Sequence, residues 1–111
     1  MSYIPHQGDI ITMDFNPQTG HEQAGRRPAL IVSNDSYNKY TQLAIVCPIT
    51  NTNNSFPLHV ALDARTHTTG VVLCEHVKAL DIKARNASFK EKLPSDLLLE
   101  VLERIQLSIQ L

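Results

Sequence analysis

Residues 8–15, Gly-Asp-Ile-Ile-Thr-Met-Asp-Phe, alternate in character. Ile11, Met13 and Phe15 fall on one side, Thr12 and Asp14 on the other, and this period of two predicts a half-buried strand. The polar stretch from Asn16 to Arg26 follows, opening with the turn signal Asn16-Pro17-Gln18-Thr19-Gly20. It is longer than the two to five residues usual in a hairpin, and long ordered loops in small domains tend to carry function. Arg27-Pro28-Ala29-Leu30-Ile31-Val32-Ser33 then predicts a buried strand with Pro28, which has no N–H, at its start.

Asn34–Tyr40 is a polar connection with room for one helical turn. Leu43–Thr50 predicts a third strand, bent at Pro48, and Asn51–Ser55 a mobile loop with no apolar residue. Leu58–Leu62 alternates again, Asp63–Thr69 is a turn region closed by Gly70, and Val71–Val77 is a mostly apolar strand. Lys78–Asn86 reads as a strand or strand end with charge on alternate residues. A helix is predicted over residues 94–110: Pro94 suits its first turn and Asp96 the positive end of its dipole. Leu98, Leu102, Ile105 and Ile109 form one stripe, which Leu97, Leu99, Val101 and Leu107 widen. Such a helix is expected either to lie across an open barrel or to meet a second copy of the chain. About six short strands and one terminal helix predict a mainly β, α+β fold: a small, partly closed antiparallel barrel formed by residues 1–111 as a single domain.

At 111 residues, with 42% hydrophobic and 19% charged positions, the chain can bury a core without disulfides. Cys47 and Cys74 sit in apolar runs and read as buried free thiols. The first residues have neither a basic start nor an apolar run, and no stretch approaches the roughly 20 apolar residues of a membrane span. The expectation is a cytoplasmic protein with no membrane contact. The net charge of −1 excludes an indiscriminate nucleic-acid binder. Charge is uneven, however: between residues 36 and 90, Lys39, Arg65, Lys78, Lys83, Arg85 and Lys90 outnumber Asp63, Glu75 and Asp81. A basic middle permits a local anion site.

The densest chemistry is at residues 20–28, Gly-His-Glu-Gln-Ala-Gly-Arg-Arg-Pro. RNA supplies its own nucleophile, the 2′-hydroxyl, so metal-free strand scission needs only a base, a donor for the leaving 5′-oxygen and cations for the charge on phosphorus. Glu22 suits the base and Arg27 a forked clamp on phosphate oxygens. His21 could donate or accept a proton. Gln23 and Arg26 are candidate substrate contacts. A loop salt bridge from Glu22 to Arg26 or Arg27 would account for the same residues. His6, His21, His59, His67 and His76 are scattered and match no metal motif, so neither a metal nor another cofactor is expected, and the glycines match no nucleotide-binding fingerprint.

That loop, preceded by Gly8-Asp9-Ile10 and Asp14-Phe15-Asn16-Pro17, resembles the MazF/PemK (Kid) family of toxin endoribonucleases. Arg27–Ser33, Cys47-Pro48-Ile49-Thr50, Gly70-Val71-Val72-Leu73 and Lys83-Ala84-Arg85 continue the resemblance in order over nearly the whole chain. It implies an SH3-like, CcdB/PemK-like barrel with a C-terminal helix, acting as a homodimer. It also implies sequence-specific, metal-independent cleavage of single-stranded RNA, usually mRNA, to 2′,3′-cyclic phosphate and 5′-hydroxyl ends, which inhibits translation and growth. A partly disordered cognate antitoxin with an acidic C-terminal segment would block the sites, and DNA would be met only through the toxin–antitoxin complex. The resemblance makes Glu22 the base, Arg27 the acid or stabiliser, and Thr50 a residue lining the site. One branch of the family has Arg-Cys-Asp where this chain has Leu73-Cys74-Glu75, so Glu75 is a second candidate carboxylate. Another has Trp-Arg near Ile82-Lys83, so an aromatic stacking surface is missing here. Lys78 and Arg85 are candidate phosphate contacts. Phe56 is a candidate stacking residue, though core or rim packing would explain it equally. The alternative is a non-enzymatic gyrase inhibitor like the CcdB toxins, which needs no acid–base loop.

Overall fold

The computed structural model describes residues 3–15, 25–52 and 57–111. The expectations for His21, Glu22, Gln23 and Phe56 lie outside the described residues. The strands are β1 (Asp9–Asp14), β2 (Arg26–Ile31), β3 (Ala44–Thr50), β4 (His59–Ala61), β5 (Val71–Leu73), β6 (Lys78–Leu80) and β7 (Ser88–Lys92). Two α-helices accompany them, α1 (Asp35–Thr41) and α2 (Ser95–Ile109). All pairings are antiparallel, in the order β4-β5-β3-β2-β1-β7, with β6 on the other stretch of β3.

Proline explains the corner of this barrel. On one side residues 46–48 of β3 pair with β2, while on its other side residues 44–46 pair with β6 and residues 49–50 with β5. Pro48 falls at that change of partner, where a missing N–H breaks no continuous ladder. In β2, Pro28 is the third residue rather than the first, and it precedes Ala29, where pairing with β3 begins.

Alternation along the strands builds two cores. Ile10, Leu30, Cys47, Ile49, Val60 and Val72 face α2, which contributes Leu97 and Val101. Ile11, Met13, Phe15, Ala29, Ile31, Ala44 and Val46 face the barrel interior, closed by Ile82 with Tyr3 and Leu80 packed against it. Both cysteines are free and buried, as the sequence implies. Burial pushes the Cys47 thiol far up and the Cys74 thiol up to about 11, so neither is a nucleophile near neutral pH.

The structure changes five local readings. The apolar run after Val71 leaves the sheet at Leu73 and makes one 3-10 turn, Cys74–His76. After Leu80 the chain turns, because Asp81 Oδ1 accepts the Ala84 N–H at 3.2 Å and Asn86 takes a left-handed conformation (φ 57°). Residues 88–92 form an edge strand that sequence pattern does not reveal, since all but Glu91 are exposed. The buried line of α2 runs through Leu97 and Val101, flanked by Leu98, Leu102 and Ile105; Ile109 is 76% exposed, and so lies off it. The Asn34–Tyr40 connection forms α1, about two turns, capped where Asn34 Oδ1 accepts the Tyr37 N–H at 2.8 Å.

Carboxylates fasten the loops to this frame. Glu91 accepts the N–H groups of His67 (3.0 Å) and Thr68 (2.8 Å). The Arg65 guanidinium forks onto Asp96 of α2 (2.9 and 3.0 Å) and also holds Asp63. Gly70, at φ 112°, lies so close to Thr50 that a Cβ there would sit 2.2 Å from the Thr50 carbonyl oxygen. Gly70→Ala is therefore expected to cost about 2–3 kcal/mol through backbone strain and to displace the end of β3. Urea unfolding checks the loss, and an unchanged midpoint would refute it.

Candidate functional site

Two adjacent arginines begin β2, and the pleat sends them to opposite faces. Arg26 stands opposite Asp14 and Arg27 opposite Met13. The Arg26 guanidinium is committed to its own side: Nη1 donates to Asp14 Oδ1 at 3.2 Å, and Nη2 to Ser88 Oγ at 3.0 Å and Thr12 Oγ1 at 3.2 Å. The structure thus binds Arg26 to β1 and β7 and does not bring it together with Arg27.

Asp14 is the hub of that arrangement. Its Oδ2 accepts from Asn86 Nδ2 at 2.8 Å. Its N–H donates to the Arg85 carbonyl at 2.8 Å, and its carbonyl accepts from Arg85 Nη1 at 3.2 Å. The hydrogen bonds from Asn86 and Arg26 hold its carboxyl below the ordinary value of 3.8. Next to it, the Phe15 N–H donates to the Gly25 carbonyl at 2.9 Å, which closes the root of the 16–24 segment. The candidate loop therefore springs from a braced base, and Arg85 is placed at that base by backbone as well as side chain.

Arg27 shares its face with Ala29 and Ile31, the barrel-interior side. Register gives its neighbour. Ala29 pairs with Pro48, Leu30 with Cys47 and Ile31 with Val46; the pairing ends at Ala29 and Pro48, and Arg27 and Thr50 each lie two residues beyond that last pair, on the same face. Arg27 pairs with Met13 of β1, and Thr50 with Val71 of β5. Thr50 Oγ1 accepts the Thr52 N–H at 3.1 Å, which leaves the hydroxyl hydrogen able to donate elsewhere.

Further along the same face lies Glu75. Its Oε2 accepts from His59 Nε2 at 2.8 Å, and His76 Nε2 is 3.8 Å away. Lys78, opposite Val46, carries its ammonium 5.9 Å from the centre of the Phe15 ring. Sequence reasoning missed Asp14, Asn86 and His59. Asp14 and Arg26 could have been found as the two residues closing a hairpin around the long loop. His59 carries only the faint signal of alternating with buried Val60.

The family model for PemK-like, MazF-like toxins of type II toxin–antitoxin systems matches residues 6–109. Escherichia coli endoribonuclease PemK is 38% identical over 103 residues, which cover 89% of this chain and 77% of PemK. The crystal structure of Deinococcus radiodurans MazF is 39% identical with a TM-score of 0.90, over 97% of this chain and 98% of that one. A MazE–MazF crystal structure from the same organism is 39% identical with a TM-score of 0.85, over 98% and 100% of the two chains.

The Asp14 brace has an acid limit. Its folded-state pKa is depressed, so its stabilisation is complete above the ordinary carboxyl range and fades as pH falls through the depressed value. The stability advantage of the protein over Asp14→Asn is expected to be constant above about pH 5 and to shrink in more acid solution. Urea unfolding across pH measures it; a difference that grows in acid would contradict the assignment.

Proposed function

The chain belongs to the PemK-like, MazF-like family of toxins of type II toxin–antitoxin systems, and from that premise we propose that the end of the sheet carrying Arg27 and Thr50 is where it cuts single-stranded RNA. The observation that supports this is that Arg27 and Thr50 each lie two residues beyond the last β2–β3 pair, Ala29 with Pro48, on the same face of the sheet. Endoribonuclease activity agrees with the PemK relative and does not favour the gyrase-inhibitor alternative.

In this reading Glu22, on the segment rooted at Phe15 and Gly25, takes the proton from a ribose 2′-hydroxyl. The 2′-oxygen bonds to phosphorus, the bond from phosphorus to the 5′-oxygen breaks, and the products are a 2′,3′-cyclic phosphate and a 5′-hydroxyl. Arg27 forks onto the non-bridging oxygens, where its permanent charge meets the charge that grows during the reaction. Thr50 donates a hydrogen bond to the same group. A guanidinium holds its proton too firmly to act as an acid and serves better as a stabiliser, so His21 is the reading's donor to the 5′-oxygen. No metal enters these steps. Arg85, at the loop's root, and Lys78 meet neighbouring phosphates, and Gln23 and Phe56 contact the strand.

Residues 1–111 act as one toxin domain, and a second copy covers the apolar face that Leu99, Leu107 and Ile109 expose on α2. The MazE–MazF structure supports a cognate antitoxin as partner; its acidic segment would compete with RNA for the same cations. Translation and growth inhibition in the cytoplasm, with DNA met only through the antitoxin complex, completes the reading. No helix among the described residues is long and apolar enough to cross a membrane.

Purified protein in EDTA is expected to cut a long single-stranded RNA. Glu22→Ala and Arg27→Ala should each lower the rate by at least about a hundredfold with the circular dichroism spectrum unchanged. Cutting at the original rate by either variant would refute that residue's role.

A further inference from the structure

Beyond the end of β2 opposite to Arg26, where the chain enters α1, the surface is hollow. The space of about 470 Å³ lies between the N-terminal segment, α1 and the turn after β6. Asp35, Asn38, Lys39 and Gln42 border it at the helical spacing that sets residues on one face. Ile4, Pro5, Leu43 and Ile82 make its floor apolar. Ile82 is buried, where it closes the barrel interior, yet Ile4 beside the same space is 69% exposed. The N-terminal wall is fixed at both ends. The Tyr3 hydroxyl donates to the buried Asp9 carboxylate. Asn38 Nδ2 donates to the Pro5 carbonyl at 3.4 Å, and the Gln7 N–H donates to Asp35 Oδ1 at 3.2 Å. The His6 ring meets Asp35 Oδ2 at 3.0 Å. The hollow is thus formed before anything fills it, and its size falls within the roughly 300–1,000 Å³ of small-molecule sites.

Charge decides what suits it. Lys39 reaches the hollow from α1 and Lys83 from the turn. Among the described residues neither ammonium has a hydrogen bond or an ion pair. Asp35 is the one acid among the lining residues, and its two oxygens are occupied by His6 and Gln7. Two cations without counter-charges therefore stand over an apolar floor. Apolar surface favours an apolar body, and ammonium groups favour an anionic head. We infer that this hollow binds a small amphipathic carboxylate of the fatty-acid type, with its chain on Ile4, Leu43 and Ile82 and its head group between Lys39 and Lys83. The site uses none of the residues assigned to RNA cleavage and does not depend on that reading.

The test titrates the full chain, with its isoleucine methyl groups labelled for NMR, against decanoate below its micelle-forming concentration. Decanol serves as the uncharged twin. Decanoate is expected to shift the methyl signals of Ile4 and Ile82 and to leave that of Ile109, on the exposed face of α2, in place. The double variant Lys39→Gln, Lys83→Gln should bind decanoate about tenfold more weakly and decanol as the wild type does. Ile4→Glu places a carboxylate in the hollow at an exposed position, so it should abolish decanoate binding with the melting temperature unchanged. Decanoate affinity that survives Ile4→Glu, or shifts at Ile109 without shifts at Ile4 and Ile82, would overturn the site. Equal losses for decanoate and decanol in the lysine double variant, or no loss for either, would overturn recognition of the anionic head. A wild-type protein that shows no shift with decanoate would refute the inference outright, whatever its activity on RNA.

Discussion

The register of β2 between β1 and β3 decides what the rest of the molecule can do. Strand side chains alternate, so a slip of one residue would exchange the faces of Arg26 and Arg27. Charge does not choose between them, because both are guanidiniums. Burial does. In the observed register Ala29 and Ile31 enter the barrel interior and Leu30 goes beneath α2. Each large aliphatic side chain so buried is worth roughly 1.5–3 kcal/mol, whereas an exposed pair such as Arg26 with Asp14 is screened by solvent and contributes little. The hydrophobic order of three residues thus delivers one arginine to the face of Thr50 and the other to a structural brace.

Around that register the fold spends its carboxylates on backbone. Asp14 ties the end of β1 to the 82–86 turn, Glu91 ties the 67–68 loop to β7, and the Arg65 bridge ties the start of α2 to the loop after β4. Short strands and long connections give a small barrel little else with which to hold its rim. The candidate site lies on this rim, at the end of β3 and the root of the 16–24 segment, where Gly70 packs against Thr50 with no room for a side chain. The same fastening that keeps the loops in place sets where a phosphodiester could sit.

The strands that cross the core were legible because burial on alternate residues leaves a written period; β1 and the run at Arg27–Ser33 are examples. The bend at Pro48 was legible too, since a residue without an N–H marks where a ladder changes partner. β7 was not, because an edge strand with exposed side chains has no apolar period to read. The face of α2 was misplaced for a different reason. Its apolar residues surround it on several sides, and only the position of the sheet shows that Leu97 and Val101 turn inward while Leu99, Leu107 and Ile109 stay in water.

The class of protein came from the chain's resemblance to a known family; by itself its chemistry determined a dense set of ionisable residues at 20–28 and a mainly β fold with one long C-terminal helix. Those are local properties of composition, spacing and period. The tertiary structure alone separated the roles of two adjacent arginines, paired His59 with Glu75 across 16 residues of sequence, and brought Arg85 and Asn86 to Asp14. Such pairings depend on how strands register and on where the chain closes on itself. Those are set by the packing of the whole core, and no single stretch of sequence carries them.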